Sequence, residues 1–285
     1  MTEMILQDAG IIRATDGTYH LSEDKSGYFL TDEYVPRVTT FLKRIKIEVD
    51  MYYSKEAHKT NYEDLYYVVS QIKDSELLEY DNPAIKPLID KIYPDIRFLL
   101  DQRENDTHDP WTLLDLATES TSCIHDVVWR CLLKTPKRLD HLQFLSNAYH
   151  DENISKIDIY TLNHDTVLEQ YLSNADIQVI DGFGLPQENG LRYWNFELLE
   201  GTDLKVRLLK LHGSINWFAF IPNDKVGLEE VAIPPDWDIW HTKDLSGQRQ
   251  WPAGGRPKFL VGTFNKMLDY NSGIYATNTT SFINH

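Results

Sequence analysis

The hydrophobic positions divide the chain into a long helical stretch and a later stretch of short apolar runs. From about Tyr34 to Tyr149, apolar residues recur every three or four positions, which is the spacing of amphipathic helices. The pattern predicts helices at Tyr34 to Ile47, at Trp111 to Leu133 and at Arg138 to Tyr149. The helix that starts at Trp111 carries the clearest apolar stripe, made of Leu113, Leu116, Ala117, Ile124, Val127, Val128 and Cys131.

Caps and breakers refine the helix boundaries inside this stretch. Asn61 precedes Tyr62-Glu63-Asp64, and its side-chain oxygen is suited to accept hydrogen bonds from the first backbone amides of a helix. The two acidic residues complement the positive end of the helix dipole. The region that follows is predicted to form several short helices, because proline lacks the amide hydrogen that a helix interior uses. The prolines concerned are Pro83, Pro87 and Pro94.

After residue 150 the pattern changes to short runs rich in β-branched residues, each followed by polar residues or glycine. These runs predict four strands, at Ile157 to Leu162, Ile177 to Ile180, Val206 to Leu211 and Lys258 to Val261. A helix at Thr166 to Leu172 separates the first two. Strands that alternate with helices indicate an α/β fold with a parallel sheet, carried here by residues 151–285. The proline-rich and tryptophan-rich segment 222–257 shows little periodicity and is predicted to be an inserted loop or lid.

Composition and charge exclude several classes of protein. The formal net charge is −16, from 44 acidic and 28 basic side chains, so direct binding to nucleic acid is not expected. Two cysteines, Cys123 and Cys131, are too few for a structural zinc site and are predicted to be reduced core residues. Neither a signal peptide nor an apolar run of membrane-spanning length is apparent, so we expect a soluble cytoplasmic protein with no bound metal.

Candidate ligand-binding residues follow three of the four predicted strands. They are Asn163 and Asp165 after the first, His212, Ser214 and Asn216 after the third, and Gly262 and Thr263 after the fourth. Because the carboxyl ends of parallel strands lie at one edge of a sheet, these residues are expected to converge on one ligand. The alternative is that each side chain only caps the next helix, a role for which Asn, Asp and Ser are all suited.

Two of these segments resemble a known family. Thr161 to Glu169 (TLNHDTVLE) and Lys210 to Trp217 (KLHGSINW) are similar to signature segments of the bacterial sirtuin-like proteins. The helix after Asn61 and the segment Val261 to Lys266 look like further family features, and the likeness extends roughly from Asn61 to Tyr270. The resemblance implies one sirtuin-like domain over residues 1–285, with a Rossmann-like parallel sheet flanked by helices. Residues 34–150 would then be a large, mainly helical insertion.

The resemblance also implies an activity. Many such domains hydrolyse NAD+ at the nicotinamide–ribose bond as effectors of anti-phage defence. Asn163 would orient a water molecule or the carboxamide, and His212 would act as a general base. Contacts to the bound dinucleotide would come from Asp165, Gly213, Ser214, Asn216, Gly262 and Thr263. NAD+ would be the substrate, and no further cofactor would be needed.

The chain departs from the family pattern at both ends. No glycine-rich loop of the form Gly-Ala-Gly-Ala-Ser precedes Asp8-Ala9-Gly10, and no segment like Gly-Tyr-Ser-Phe follows Val261-Gly262. We therefore expect either an incomplete domain or a member that lacks part of the dinucleotide site. The four-cysteine zinc ribbon of the protein-deacylating sirtuins is also absent, so no zinc is expected, and a hydrolase acting on free NAD+ is favoured over a deacylase.

The family further implies control by partners. Sirtuin-like effectors are coupled to a hexameric ATPase or helicase, an Argonaute-like protein or a phage-derived trigger. A homo-oligomer is also expected, formed through the helical insertion or the tryptophan-rich segment. The competing hypothesis is a non-catalytic sensor of NAD+ or ADP-ribose, or a scaffold subunit of a defence complex.

Overall fold

A computed structural model describes residues 1–23, 34–78, 82–101, 110–200, 203–223, 227–234 and 237–259. The predicted ligands Gly262 and Thr263 lie outside these residues, as does the second half of the predicted strand at Lys258 to Val261. The chain divides into two compact units between Cys131 and Leu132. This division falls earlier than the predicted boundary at residue 150.

The first unit is mainly helical. Its described elements are α1 (Thr2–Ile5), β1 (Ile11–Arg13), β2 (Tyr19–Leu21), α2 (Tyr34–Tyr52), α3 (Tyr62–Glu76), α4 (Ile85–Leu100) and α5 (Leu113–Leu132). The strands β1 and β2 form an antiparallel hairpin. The predicted apolar stripe of α5 is confirmed, since Leu116, Ala117 and Ile124 are fully buried. Cys123 and Cys131 both lie on α5 as free thiols.

The prediction of several short helices after residue 83 is wrong, because Ile85–Leu100 is one continuous helix. Pro87 occupies the third position of α4, where a backbone amide has no partner within the helix in any case. Pro94 lies inside the helix and removes one hydrogen bond. The helix continues past it because Ile92 and Ile96 are buried where α4 packs against α2 and α3.

The predicted cap at Asn61 is confirmed as a capping box at the start of α3. The Asn61 side chain accepts hydrogen bonds from the amides of Glu63 and Asp64, at 2.7 and 3.2 Å, and the Asp64 carboxylate accepts one from the Asn61 amide at 2.9 Å. We expect Asn61→Ala to lower the free energy of unfolding by about 1 kcal/mol, because the first-turn amides lose their acceptor. Chemical denaturation measures this loss. Asn61→Ser keeps a capping oxygen and should stay close to wild type, and equal losses in both variants would contradict the capping role.

The second unit is built around a three-stranded parallel sheet. Its strands are β3 (Ile157–Thr161), β4 (Val179–Ile180) and β6 (Val206–Lys210). Between β4 and β6 along the chain lie the short strand β5 (Arg192–Tyr193), which belongs to another sheet, and the helix α8 (Glu197–Glu200). The spatial order is β3-β6-β4, with Thr161 opposite Lys210 at one end. All five residues of β6 are buried, as expected for the central strand of a parallel sheet. The predicted parallel sheet is therefore confirmed, with three strands in the described residues.

Two helices pack on this sheet through one apolar cluster. They are α6 (Gln143–His150) and α7 (Val167–Asn174). Leu142 and Leu145, at the start of α6, meet Leu172 of α7 and Val206 of β6 in the cluster. The residues predicted to end the helical insertion thus belong to the sheet-bearing unit.

The prediction of a loop or lid over residues 222–257 is wrong at Glu229–Ala232 and at Trp251–Pro252, which form strands. Residues there complete a four-stranded antiparallel sheet, of order β5-β8-β7-β9, with β7 (Trp217–Ile221), β8 (Glu229–Ala232) and β9 (Trp251–Pro252). The strands β8 and β9 are too short and too interrupted by turns to show a period of two along the sequence. Of the predicted strand at Lys258, the structure describes only an isolated antiparallel bridge between Phe259 and Gly213.

The chain is therefore a mixed α/β protein with a parallel sheet and separate antiparallel sheets. None of the helices within the described ranges combines the length and the apolar content that crossing a bilayer requires.

Candidate functional site

The carboxyl end of the parallel sheet brings together the segments that follow its three strands. Asn163-His164-Asp165 follows β3, Leu211 to Asn216 follows β6, and Asp181-Gly182 follows β4. The strands β3 and β6 are direct neighbours, and their pairing extends to a hydrogen bond from the Leu211 amide to the Thr161 carbonyl at 2.9 Å. The loops after β3 and β6 therefore lie side by side.

The carbonyl of His164 joins these two loops. It accepts hydrogen bonds from the Ile215 amide at 2.9 Å and from the Ser214 hydroxyl at 3.2 Å. The imidazole rings of His164 and His212 stack with their centroids 5.9 Å apart, and the Phe259 ring lies 4.9 Å from His164. Both histidines are buried, so their rings are held by packing as well as by the backbone contacts.

Lys210, the last residue of β6, carries its ammonium group into the interior of this edge. Its side chain is 1% exposed. The ammonium group donates hydrogen bonds to the Asp165 carbonyl, to Glu169 Oε1 at 2.8 Å and to Ser214 Oγ at 2.8 Å. Sequence reasoning gave Lys210 no role, although a lysine that ends an otherwise apolar buried strand is a signal for a specific internal partner.

Glu169 is the negative partner of Lys210. Its Oε2 atom is buried and has no hydrogen-bond partner among the residues that the structure describes. Burial raises the pKa of the Glu169 carboxyl above its ordinary value of 4.5, the Asp181 carboxylate adds to the rise, and the Lys210 ammonium opposes it. Glu169 is thus a buried acid whose ionised form depends on Lys210.

The raised pKa of Glu169 predicts a pH effect on stability. The folded state binds this proton more tightly than the unfolded state, so the stability it contributes is fully present below pH 4.5 and is lost as pH rises through the folded pKa. Glu169→Gln has no such proton to lose. Relative to wild type, this variant should therefore gain free energy of unfolding as pH is raised above 4.5, which denaturant titrations at several pH values measure. A difference between the two proteins that is independent of pH would contradict the prediction.

The segment after β4 is held by an arginine of β5. Arg192 forms an ion pair with the buried carboxylate of Asp181, with NH1 at 3.0 Å from Oδ2, and its Nε donates to the Gly184 carbonyl at 3.0 Å. Phe183 packs in an aromatic cluster with Trp194 and Trp217. Asp181 and Arg192 were not predicted as site residues. Arg192 lies on β5, a strand of two residues that is too short to leave a pattern in the sequence.

The predicted catalytic residues lie on the two adjoining loops. Asn163 is exposed, and its backbone amide donates to Thr161 Oγ1 at 3.0 Å. His212 is buried beside His164. The arrangement therefore pairs an exposed amide side chain with a largely enclosed imidazole. Joint action of the two side chains on one substrate stays a prediction.

The other predicted ligands differ in what they contact. Asp165 Oδ1 accepts a hydrogen bond from the Val167 amide at 3.0 Å, in a turn just before α7, whose N-cap position is Thr166 and not Asp165. The Ser214 hydroxyl is fully buried between Lys210 and His164. Gly213 has a φ of 78°, a conformation that favours glycine, and the buried Oδ1 of Asn216 has no hydrogen-bond partner in the described ranges. Contact of these residues with a dinucleotide stays a prediction.

No three His, Cys, Asp or Glu side chains in the described part of the chain are grouped so that they could hold a metal ion. The titratable groups gathered at the sheet edge are two imidazoles, three carboxyls and an ammonium group, which suit proton transfer and hydrogen bonding. They belong to His164, His212, Asp165, Asp181, Glu169 and Lys210.

Comparison with models of known protein families gave no match, and comparison with curated protein sequences gave none either.

Proposed function

We propose that this protein hydrolyses NAD+ at the bond between nicotinamide and ribose, as the NAD-depleting effector of a bacterial anti-phage defence system. One observation carries the proposal. The two segments that resemble the sirtuin-like signatures follow neighbouring parallel strands, and the His164 carbonyl joins them by hydrogen bonds from Ser214 and Ile215. The carboxyl edge of a parallel sheet is where open α/β folds bind nucleotides.

The groups at this edge suit the chemistry of hydrolysis. The bond between the ribose C1′ and the nicotinamide nitrogen breaks, its electron pair goes to nicotinamide, and the oxygen of water forms a bond to C1′. His212 accepts the proton that this water releases, since a histidine ordinarily titrates near neutral pH. Asn163 orients the water or the carboxamide next to C1′. A positively charged, oxocarbenium-like ribose develops as the bond breaks, as in other glycosidic cleavages.

We also propose that the parallel sheet has a Rossmann-like arrangement and that the protein is cytoplasmic. Its activity depends on an oligomer or on a defence partner. That partner is a hexameric ATPase or helicase, an Argonaute-like protein or a phage-derived trigger. Because depletion of free NAD+ is toxic to the cell, such control keeps the enzyme inactive before infection.

A second candidate function is a sensor that binds NAD+ or ADP-ribose without turnover. The observation in its favour is that Asp165 Oδ1 and the Ser214 hydroxyl already have internal hydrogen bonds. Fewer groups than the family resemblance implies then remain to act on the ligand.

One experiment separates the two functions. The protein is incubated with NAD+, alone and with the product of a neighbouring gene, while nicotinamide release and NAD+ binding are measured in parallel by chromatography and calorimetry. Release of nicotinamide supports the hydrolase. Binding of NAD+ without release of nicotinamide, with and without the neighbouring gene product, favours the sensor. If the protein neither binds NAD+ nor releases nicotinamide, both proposed functions are contradicted.

A further inference from the structure

The ammonium group of Lys210 connects three separate segments of the second unit. Its hydrogen bonds reach the Asp165 carbonyl in the loop after β3, the Glu169 carboxylate on α7 and the Ser214 hydroxyl in the loop after β6. The His164 carbonyl lies 3.5 Å from the same nitrogen. Lys210 itself belongs to β6, so this one side chain touches every element that forms the junction of the two loops.

Burying an ammonium group is costly unless its hydrogen bonds and its charge are satisfied. An apolar residue at this position would extend the buried run of β6 without that cost. The sheet alone therefore gives no reason for a lysine here. A reason appears in the backbone, since the loop that carries Asn163 presents the Asp165 carbonyl to the junction and the Lys210 ammonium group donates a hydrogen bond to it.

We infer that Lys210 is a positioning residue: its ammonium group fixes the loop that carries Asn163 against the loop that carries His212. The inference rests on the proposed function for its catalytic consequence. Glu169 serves as the counter-charge that lets the ammonium group stay buried. The Ser214 hydroxyl accepts a hydrogen bond from Lys210 and donates one to the His164 carbonyl. No direct contact of Lys210 with substrate is involved.

A purely structural ion pair and a positioning residue respond differently to a double substitution. Lys210→Met alone leaves the Glu169 carboxyl buried without its counter-charge, so both roles predict a loss of stability. Lys210→Met combined with Glu169→Gln removes both charges together. If Lys210 only balances Glu169, stability and function recover together in the double variant. If Lys210 positions the loops, stability recovers in the double variant, but the loops after β3 and β6 remain less firmly held against each other.

The experiment compares wild type, Lys210→Met, Glu169→Gln, the double variant and Lys205→Met. Lys205 is the matched control, because its ammonium group donates to the carbonyls of Tyr149 and Asp151, at 2.6 and 2.8 Å, just before the other end of the same strand. The measurements are the thermal midpoint, hydrogen exchange of the Ile215 amide, and kcat and KM for nicotinamide release, with the defence partner present where turnover needs it.

We expect the double variant, which leaves neither charge unpaired, to have a thermal midpoint well above that of Lys210→Met and close to that of wild type. Its Ile215 amide should exchange at least about tenfold faster than in wild type, because the hydrogen bond to His164 opens more often. Its kcat should fall at least about tenfold with little change in KM, since misplaced catalytic groups act on the reaction step more than on binding. Lys205→Met should show neither the faster exchange nor the lower kcat.

Unchanged exchange at Ile215, or a kcat within about twofold of wild type in the double variant, would overturn the inference. If wild type releases no nicotinamide under any condition, the proposed function fails, and the exchange measurement alone decides. Faster exchange in the double variant then supports Lys210 as the residue that joins the loops, and unchanged exchange rejects it.

Discussion

His212→Ala is expected to lower kcat for nicotinamide release by about 10²–10⁴-fold, which is the contribution typical of a general base. Asn163→Ala should lower kcat to a similar degree, because the attacking water or the carboxamide loses its orienting group. Nicotinamide release at saturating NAD+ measures both effects. Asn163→Ala should leave the fold intact because Asn163 is exposed, whereas His212→Ala removes a buried ring that stacks on His164, so the thermal midpoint of both variants is measured beside kcat.

Matched controls exist within the same unit. His241→Ala removes an exposed histidine that pairs with Asp238, and Asn153→Ala removes an exposed asparagine that bonds to Asp151. Both controls should keep wild-type turnover. Wild-type turnover in His212→Ala would reject His212 as the base, and equal losses in the control variants would show that the assay reports stability.

Gly182→Ala is expected to destabilise the second unit strongly. A Cβ atom at Gly182 would lie 2.1 Å from Cζ3 of Trp194, and the backbone there has a φ of 84°. The left-handed conformation costs a residue with a side chain about 1–2 kcal/mol. Overpacking against the partly buried ring of Trp194 adds about 1–3 kcal/mol. Urea denaturation followed by tryptophan fluorescence measures the sum.

Gly247→Ala is the control for Gly182→Ala. Its φ is 82°, almost the same as that of Gly182, but a Cβ atom there meets nothing within 4 Å. This variant should show only the loss of about 1–2 kcal/mol that the backbone conformation causes. Equal losses in the two variants would mean that Trp194 moves aside without cost. The packing of the segment after β4 would then be looser than the structure indicates.

Elements with a long, regular pattern could be predicted from the sequence. The apolar stripe gave α5 to within two residues at each end, and the buried run Val206 to Leu211 gave the central strand β6. Asn61 indicated the start of α3, because a capping box is formed by residues that lie close together in the chain. In each case the information that decides the structure is local.

Elements that depend on distant partners could not be predicted. The hairpin of β1 and β2 is short, and it is held by a hydrogen bond from the Tyr19 amide to the buried Asp126 carboxylate of α5, at 2.9 Å. Likewise α4 runs through Pro94 because of its packing on α2 and α3. A tertiary contact overrode the local signal in both places.

The candidate site shows the same limit. That Asn163 and His212 follow strands of one parallel sheet could be predicted from the strand pattern, but that these two strands are direct neighbours could not. The junction formed by Lys210, Glu169 and Ser214 could not be predicted either, because Glu169 and Lys210 are far apart in sequence and only the fold brings them together. Ser214 was predicted to face a ligand, whereas its hydroxyl contacts Lys210 and His164.

The most direct test of the account is a crystal structure of His212→Ala grown with NAD+, since this variant should bind the substrate without cleaving it. We predict intact NAD+ at the carboxyl edge of β3 and β6, with the ribose C1′ next to Asn163 and within about 3 Å, or one water molecule, of the space that the imidazole occupied. NAD+ bound at any other place on the protein would contradict the proposed site.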